Sequence, residues 1–120
     1  MSVTVSQFDL LSKLLDASEL RHRVISQNVA NVNTPGYHRL AVSFEEELAQ
    51  RLRSSGGDAA IDGLTPEIYE ELGLPVRADG NNVDIDKEMG QLNKNALLYQ
   101  TYAQVLASRL SMMRSAITGR

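Results

Sequence analysis

Residues 84–118 read DIDKEMGQLNKNALLYQTYAQVLASRLSMMRSAIT, and this stretch decides the fold. Ile85, Met89, Leu92, Ala96, Tyr99, Ala103, Leu106, Leu110, Met113 and Ile117 recur at strict four–three spacing, the signature of a long helix with an apolar seam. Asp84 or Asp86 suits the N-cap, Glu88 the positive end of the helix dipole, and Arg109 and Arg114 the negative end; Gly119 is a stop. At about 1.5 Å per residue such a helix is roughly 50 Å long, whereas a compact globule of this size has a radius of gyration of only about 13 to 14 Å. The spacing therefore predicts a rod-shaped molecule. From Asn95 to Ser108 the helix carries no charge, and Leu97, Leu98, Tyr102 and Val105 lie off the seam. A helix neutral around most of its circumference is buried on more than one side. One partner helix cannot cover it, so burial between subunits is expected.

Working back along the chain, a second helical pattern spans about Ser6 to Asn33. Leu11, Leu15, Ser18, His22, Ile25, Val29 and Val32 alternate in steps of four and three. Ser18 and His22 interrupt this seam, a device that lowers stability and specifies register. The pattern closes at Asn28-Val29-Ala30-Asn31-Val32-Asn33-Thr34-Pro35-Gly36-Tyr37. Here Asn competes for backbone, Pro35 pushes Thr34 out of the α region, and Gly36 frees the turn. Frayed polarity at a helix end explains the asparagines in one reading. In the other they are uncharged donors and acceptors suited to a face buried against something polar.

Between the helices, Leu40, Val42 and Phe44 alternate as a short strand, and Glu45 to Leu52 reads as a weak helical turn or two. Ser54-Ser55-Gly56-Gly57-Asp58 reads as a flexible break, and Thr65-Pro66-Glu67 opens a short predicted helix over about 65–72. The expected fold is mainly α: long N- and C-terminal helices pair as an antiparallel coiled-coil-like core around an irregular middle segment. The expected divisions of this single domain are 1–35, 36–83 and 84–120. The isolated monomer is expected to melt early, partly disordered until neighbours complete it.

Composition narrows the function. The chain has 120 residues, a formal net charge of −3 and no cysteine, so neither a concentrated basic footprint for nucleic acid nor a disulfide framework is expected. Arg21-His22-Arg23, with Asp16 and Glu19 one turn away, reads as a solvated helix face. With only His22 and His38, no metal pair forms. Asp79, Asn81 and Asp84 resemble a calcium loop only loosely and read better as a turn. No cofactor, no small-molecule substrate and no catalysis are expected. The N-terminus lacks a basic region, an apolar core and a cleavage site, so no cleaved signal peptide is expected.

The run from Asn28 to Tyr37 resembles the N-terminal signature of bacterial flagellar rod and hook proteins, in which Asn-hydrophobic-small-Asn precedes Thr-Pro-Gly-Tyr. Asp79 to Met89 followed by Asn95-Ala96-Leu97-Leu98-Tyr99 is similar to the proximal rod members of that family. The resemblance covers about residues 5–50 and 78–118. It implies a structural, periplasmic subunit of the basal body, self-associating in the rod. The implied neighbours are the rod protein FlgC, the adaptor FliE and the MS ring with its export gate. It implies export without a cleaved signal, with Phe44 and Leu48 matching a gate-recognition pattern. It assigns Asn28, Asn31, Asn33, Pro35, Gly36 and Tyr37 to a helix-end turn. Leu11, Leu15, Ile25, Val29, Leu92, Tyr99, Tyr102, Leu106, Leu110 and Met113 form the expected assembly core. Alternatives are FlgC itself and an unrelated cytoplasmic helical adaptor or chaperone.

Overall fold

The computed structural model describes residues 2–54 and 61–119. Helix α1 (Ser2–Ala30) runs into a turn and strand β1 (Leu40–Ser43); helix α2 (Glu45–Ser54), strand β2 (Glu67–Glu70) and helix α3 (Ile85–Thr118) follow. The radius of gyration is 18.0 Å and the principal extents are 63 × 31 × 16 Å, the elongation expected from the helix lengths. Contacts of Gln7 with Arg109, Ser18 with Asn95 and Asn28 with Glu88 run in opposite chain directions along α1 and α3. The long helices thus pair antiparallel.

Helix α3 begins and ends where its side chains dictate. Asp84 is the N-cap, its carboxylate accepting from the Asp86 and Lys87 amides, and Gly119 closes the helix at φ 75°, where a side chain would be strained. Helix α1 ends at Ala30, earlier than the pattern to Asn33 suggested, because residues 31–36 form turns.

The predicted helix over 65–72 is a strand instead. Thr65-Pro66-Glu67 carries helix-start chemistry, but Ile68 and Tyr69 are β-favouring residues that find an exposed partner edge in β1. The antiparallel register pairs Leu40 with Glu70, Ala41 with Tyr69, Val42 with Ile68 and Ser43 with Glu67. Pairing from outside the segment outweighs the local start signal.

A small apolar core sits beside α1, away from α3. Ala17, Phe44, Leu48, Ile61 and Leu64 are buried together, with Leu10 and Leu14 packed against them. The predicted break at 54–58 falls, from residue 55 onward, outside the described residues. Arg21 leaves the face it was expected to share with Asp16 and Glu19 and makes a two-pronged pair with Glu45, at 2.6 and 2.8 Å. Arg23 alone meets Glu19, at 3.5 Å.

Candidate assembly site: a polar junction and an uncovered helix face

Where α1 stops, the chain builds a polar junction. Asn28 is fully buried. Its Nδ2 donates to the Leu40 carbonyl and its Oδ1 accepts from the Leu40 amide, both at 2.9 Å. The side-chain amide thus does for β1 what the backbone of a neighbouring strand would do. A carboxylate or an amine could supply only half of that pair. The same amide also donates to Glu88 and accepts from the Tyr37 hydroxyl.

Glu88, only 1% exposed, sits in the first turn of α3. Its carboxylate takes the Arg39 Nε at 2.6 Å and Nη2 at 3.2 Å, and a further Arg39 nitrogen reaches Glu71. The hydrogen bond to Glu88 is the main cause holding Arg39 above its ordinary pKa, against the opposing effect of burial. Burial first, then the Glu88 charge, raises the Tyr37 phenol, which stays a donor to Asn28. Asn82 extends the network, accepting from the Arg39 amide and donating to the Glu71 carbonyl.

The C-terminal end of α1 has no basic residue in its last turn. Its last carbonyls take the amides of Asn31 and Val32, and the carbonyls of the turn that follows are met from far along the chain. Asn81 Nδ2 donates to Asn31 and Thr34 carbonyls at 2.9 and 2.8 Å, and Arg77 donates to the Val32 carbonyl. Gly36, at φ 74°, donates its amide to the Asp79 carbonyl, and Gly80 packs against it, an added Cβ there lying 3.4 Å from the Gly36 Cα. Of the helix-end residues, Asn31 bonds back to the Gln27 carbonyl and takes the Thr34 hydroxyl. Asn33, Pro35 and Gly36 are exposed.

Sequence reasoning missed Arg39, Arg77, Asn81, Asn82 and the burial of Glu88. Asn81 read as part of a turn and Glu88 as a dipole charge. Their bonds to α1, the turn after it and residue 39 join segments 43 to 60 residues apart, which no local pattern reports.

The assembly-core residues divide. Ile25 is buried; Leu11, Leu15, Val29, Leu92, Tyr102, Leu106 and Met113 are half-buried; Tyr99 and Leu110 are exposed. The cause is a rotation of the seam. Helix α3 turns Glu88, Leu92, Asn95, Tyr102, Leu106 and Arg109 toward α1, whereas Ile85, Met89, Tyr99, Leu110 and Ile117 of the strict apolar repeat stay exposed, Ile117 at 79%. On the opposite flank Leu97, Val105 and Met112 are exposed too. Apolar side chains exposed on both flanks of one helix mark it as an interaction element. Phe44 and Leu48, the export-pattern residues, are inside the core.

A polar helix-end junction next to an uncovered apolar helix pair defines a subunit of an assembly. Residues 17–38, spanning that helix end, match the model of the family described as "Flagella basal body rod protein". FlgB of Borrelia hermsii is 33% identical over 98% of this chain and 99% of its own length. FlgB of Bacillus subtilis is 29% identical over 99% and 98%, and FlgB of Salmonella typhimurium 29% over 82% and 83%. The chain belongs to the flagellar basal body rod proteins and is most like FlgB.

Proposed function

We propose that this chain is a structural subunit of the proximal flagellar rod, working by polymerisation. The single observation that carries the reading is the uncovered apolar repeat of α3, on a chain whose relatives carry the printed name FlgB rather than FlgC. In this reading α1 and α3 form the wall of the axial tube through which later components pass. Leu11, Leu15, Ile25, Val29, Leu92, Tyr102, Leu106 and Met113 hold the helix pair, while Tyr99 and Leu110 meet other copies. Asn28, Asn31, Asn33, Pro35, Gly36 and Tyr37 end the core helix and turn the chain outward. FlgC-like and FliE-like proteins and the MS ring are the neighbours in the basal body, at a periplasmic location.

The subunit passes the export gate unfolded and without a cleaved signal. Phe44 and Leu48 are buried once the core closes, so a gate would read them only in the unfolded chain. Deleting the gene is expected to abolish motility and leave basal bodies without a rod; complete rods in the deletion strain would overturn the reading. Phe44→Ala is expected to lower secretion of the subunit itself. Unchanged secretion with lost assembly would remove the export role and leave the structural one.

A further inference from the structure

We infer that the groove beside Asn95 receives a hydrogen-bond donor from the α3 helix of a second copy, so that Asn95 sets the register between subunits. The inference rests on the rod-subunit reading and names the partner surface within it. Asn95 is 2% exposed. Its Nδ2 donates to the Ser18 carbonyl at 2.6 Å, but its Oδ1 has no hydrogen-bond partner among the described residues. A buried acceptor left unmet is costly, and a neighbour that meets it recovers that cost on binding. A lone polar group in an otherwise apolar helix interface fixes one register at the expense of others.

Asn95 borders a groove of about 400 Å³ lined by Ser18, Glu19, His22, Ala96, Tyr99 and Gln100. Asn95 also borders a groove on the other side of the helix pair, whose wall is the Arg21–Glu45 pair. The first groove is the one continuous with the exposed repeat, through Tyr99 and Ala96. A second copy fits it by charge. Residues 89–119 contain no Asp or Glu, while the α1 rim carries exposed Asp16 and Glu19. An incoming α3 brings Lys94 to that rim, where Asp16 is exposed and Glu19 meets only the exposed Arg23 of its own helix, at 3.5 Å. At about 100° per residue, Leu97, Val105 and Met112 lie on the flank of α3 away from the groove, with exposed Lys94 and Gln104 as donors among them. Groove on one side and donor flank on the other make a heterologous contact that repeats from copy to copy.

A photo-cross-linking residue in place of Ala96, in a strain whose only copy of the gene carries it, is expected to give a covalent dimer of this chain in basal bodies. The adduct should map near residues 94–112 of the second copy. Adducts solely with another protein, or none in assembled basal bodies, would overturn the inference. Asn95→Leu removes the unmet acceptor while the Ser18 carbonyl remains in α1. The isolated subunit should melt at the same temperature or higher, while the assembled fraction falls about tenfold, the loss of one hydrogen bond to a buried group. A parallel fall in both would make Asn95 a brace within the subunit, and unchanged assembly would make it idle; either overturns the inference. Complete rods in the deletion strain would instead defeat the rod reading itself.

Discussion

The two ends of the α1–α3 pair are built on opposite plans. At the junction, buried polar groups meet within the subunit: Asn28, Arg39, Glu88 and Asn82 are joined by direct bonds. Away from the junction, α3 carries apolar side chains in solvent, and Asn95 Oδ1 has no partner among the described residues. The difference teaches where the subunit is complete alone. Polar networks are geometrically demanding and are finished locally, whereas apolar surface is permissive and can be left for an identical neighbour to cover.

That contrast can be broken most sharply at Glu88. Glu88→Leu strands the Arg39 guanidinium and removes a partner of Asn28, with an expected loss of about 3–5 kcal/mol in urea unfolding followed by circular dichroism. A loss below about 1 kcal/mol would mean that the junction does not hold the pair together. Asn28→Ala orphans the Leu40 amide and carbonyl and the Tyr37 hydroxyl, and is expected to cost about 3 kcal/mol. Asn33→Ala, at an exposed position, is its control and should change almost nothing.

At the uncovered end the pattern inverts. Tyr99→Ser and Leu110→Ser should each alter the stability of the isolated subunit by no more than about 0.5 kcal/mol while sharply reducing incorporation into rods. Equal losses in both measurements would place these side chains in the subunit's own core. The smallest effect concerns Glu45. Burial opposes its ionisation, but the Arg21 hydrogen bond and charge outweigh it and hold the carboxyl below its ordinary value of 4.5. A depressed folded value gives stability that is present above pH 4.5 and lost as pH falls through the lower folded value. Because Glu45 is half-exposed, the contribution is less than about 1 kcal/mol. Glu45→Gln should flatten the melting temperature against pH below 4.5 and leave it level above.

The helices were legible because their signals are local. Asp84 and Gly119 bound α3 where capping chemistry requires, and the alternation of Leu40 and Val42 gives β1. Strand β2 was not legible: Thr65 and Pro66 signal a helix, and only the edge of β1, distant in sequence, draws residues 67–70 into extended pairing. The four–three repeat faces α1 only in part: Leu92 and Leu106 turn toward it, while Ile85, Met89, Tyr99, Leu110 and Ile117 stay exposed. Periodicity reports that a stripe exists, not which partner meets it, and Glu88, Asn95 and Arg109 took the place beside α1 because α1 offers them polar partners. The stop at Asn28 was visible as punctuation. Its two-way bond with Leu40 was not, since that depends on where the chain returns.

The turn that follows α1 is held by Arg77 and Asn81, from 45 to 50 positions downstream. A chain that emerges from its N-terminus therefore presents α1 and its local turn long before the groups that fasten the turn exist. The helix itself closes on the amides of Asn31 and Val32, but the direction in which the chain leaves it is fixed only when residues 77–81 arrive. The exit of the first element is thus set late and by the second half of the molecule, which ties the two halves together.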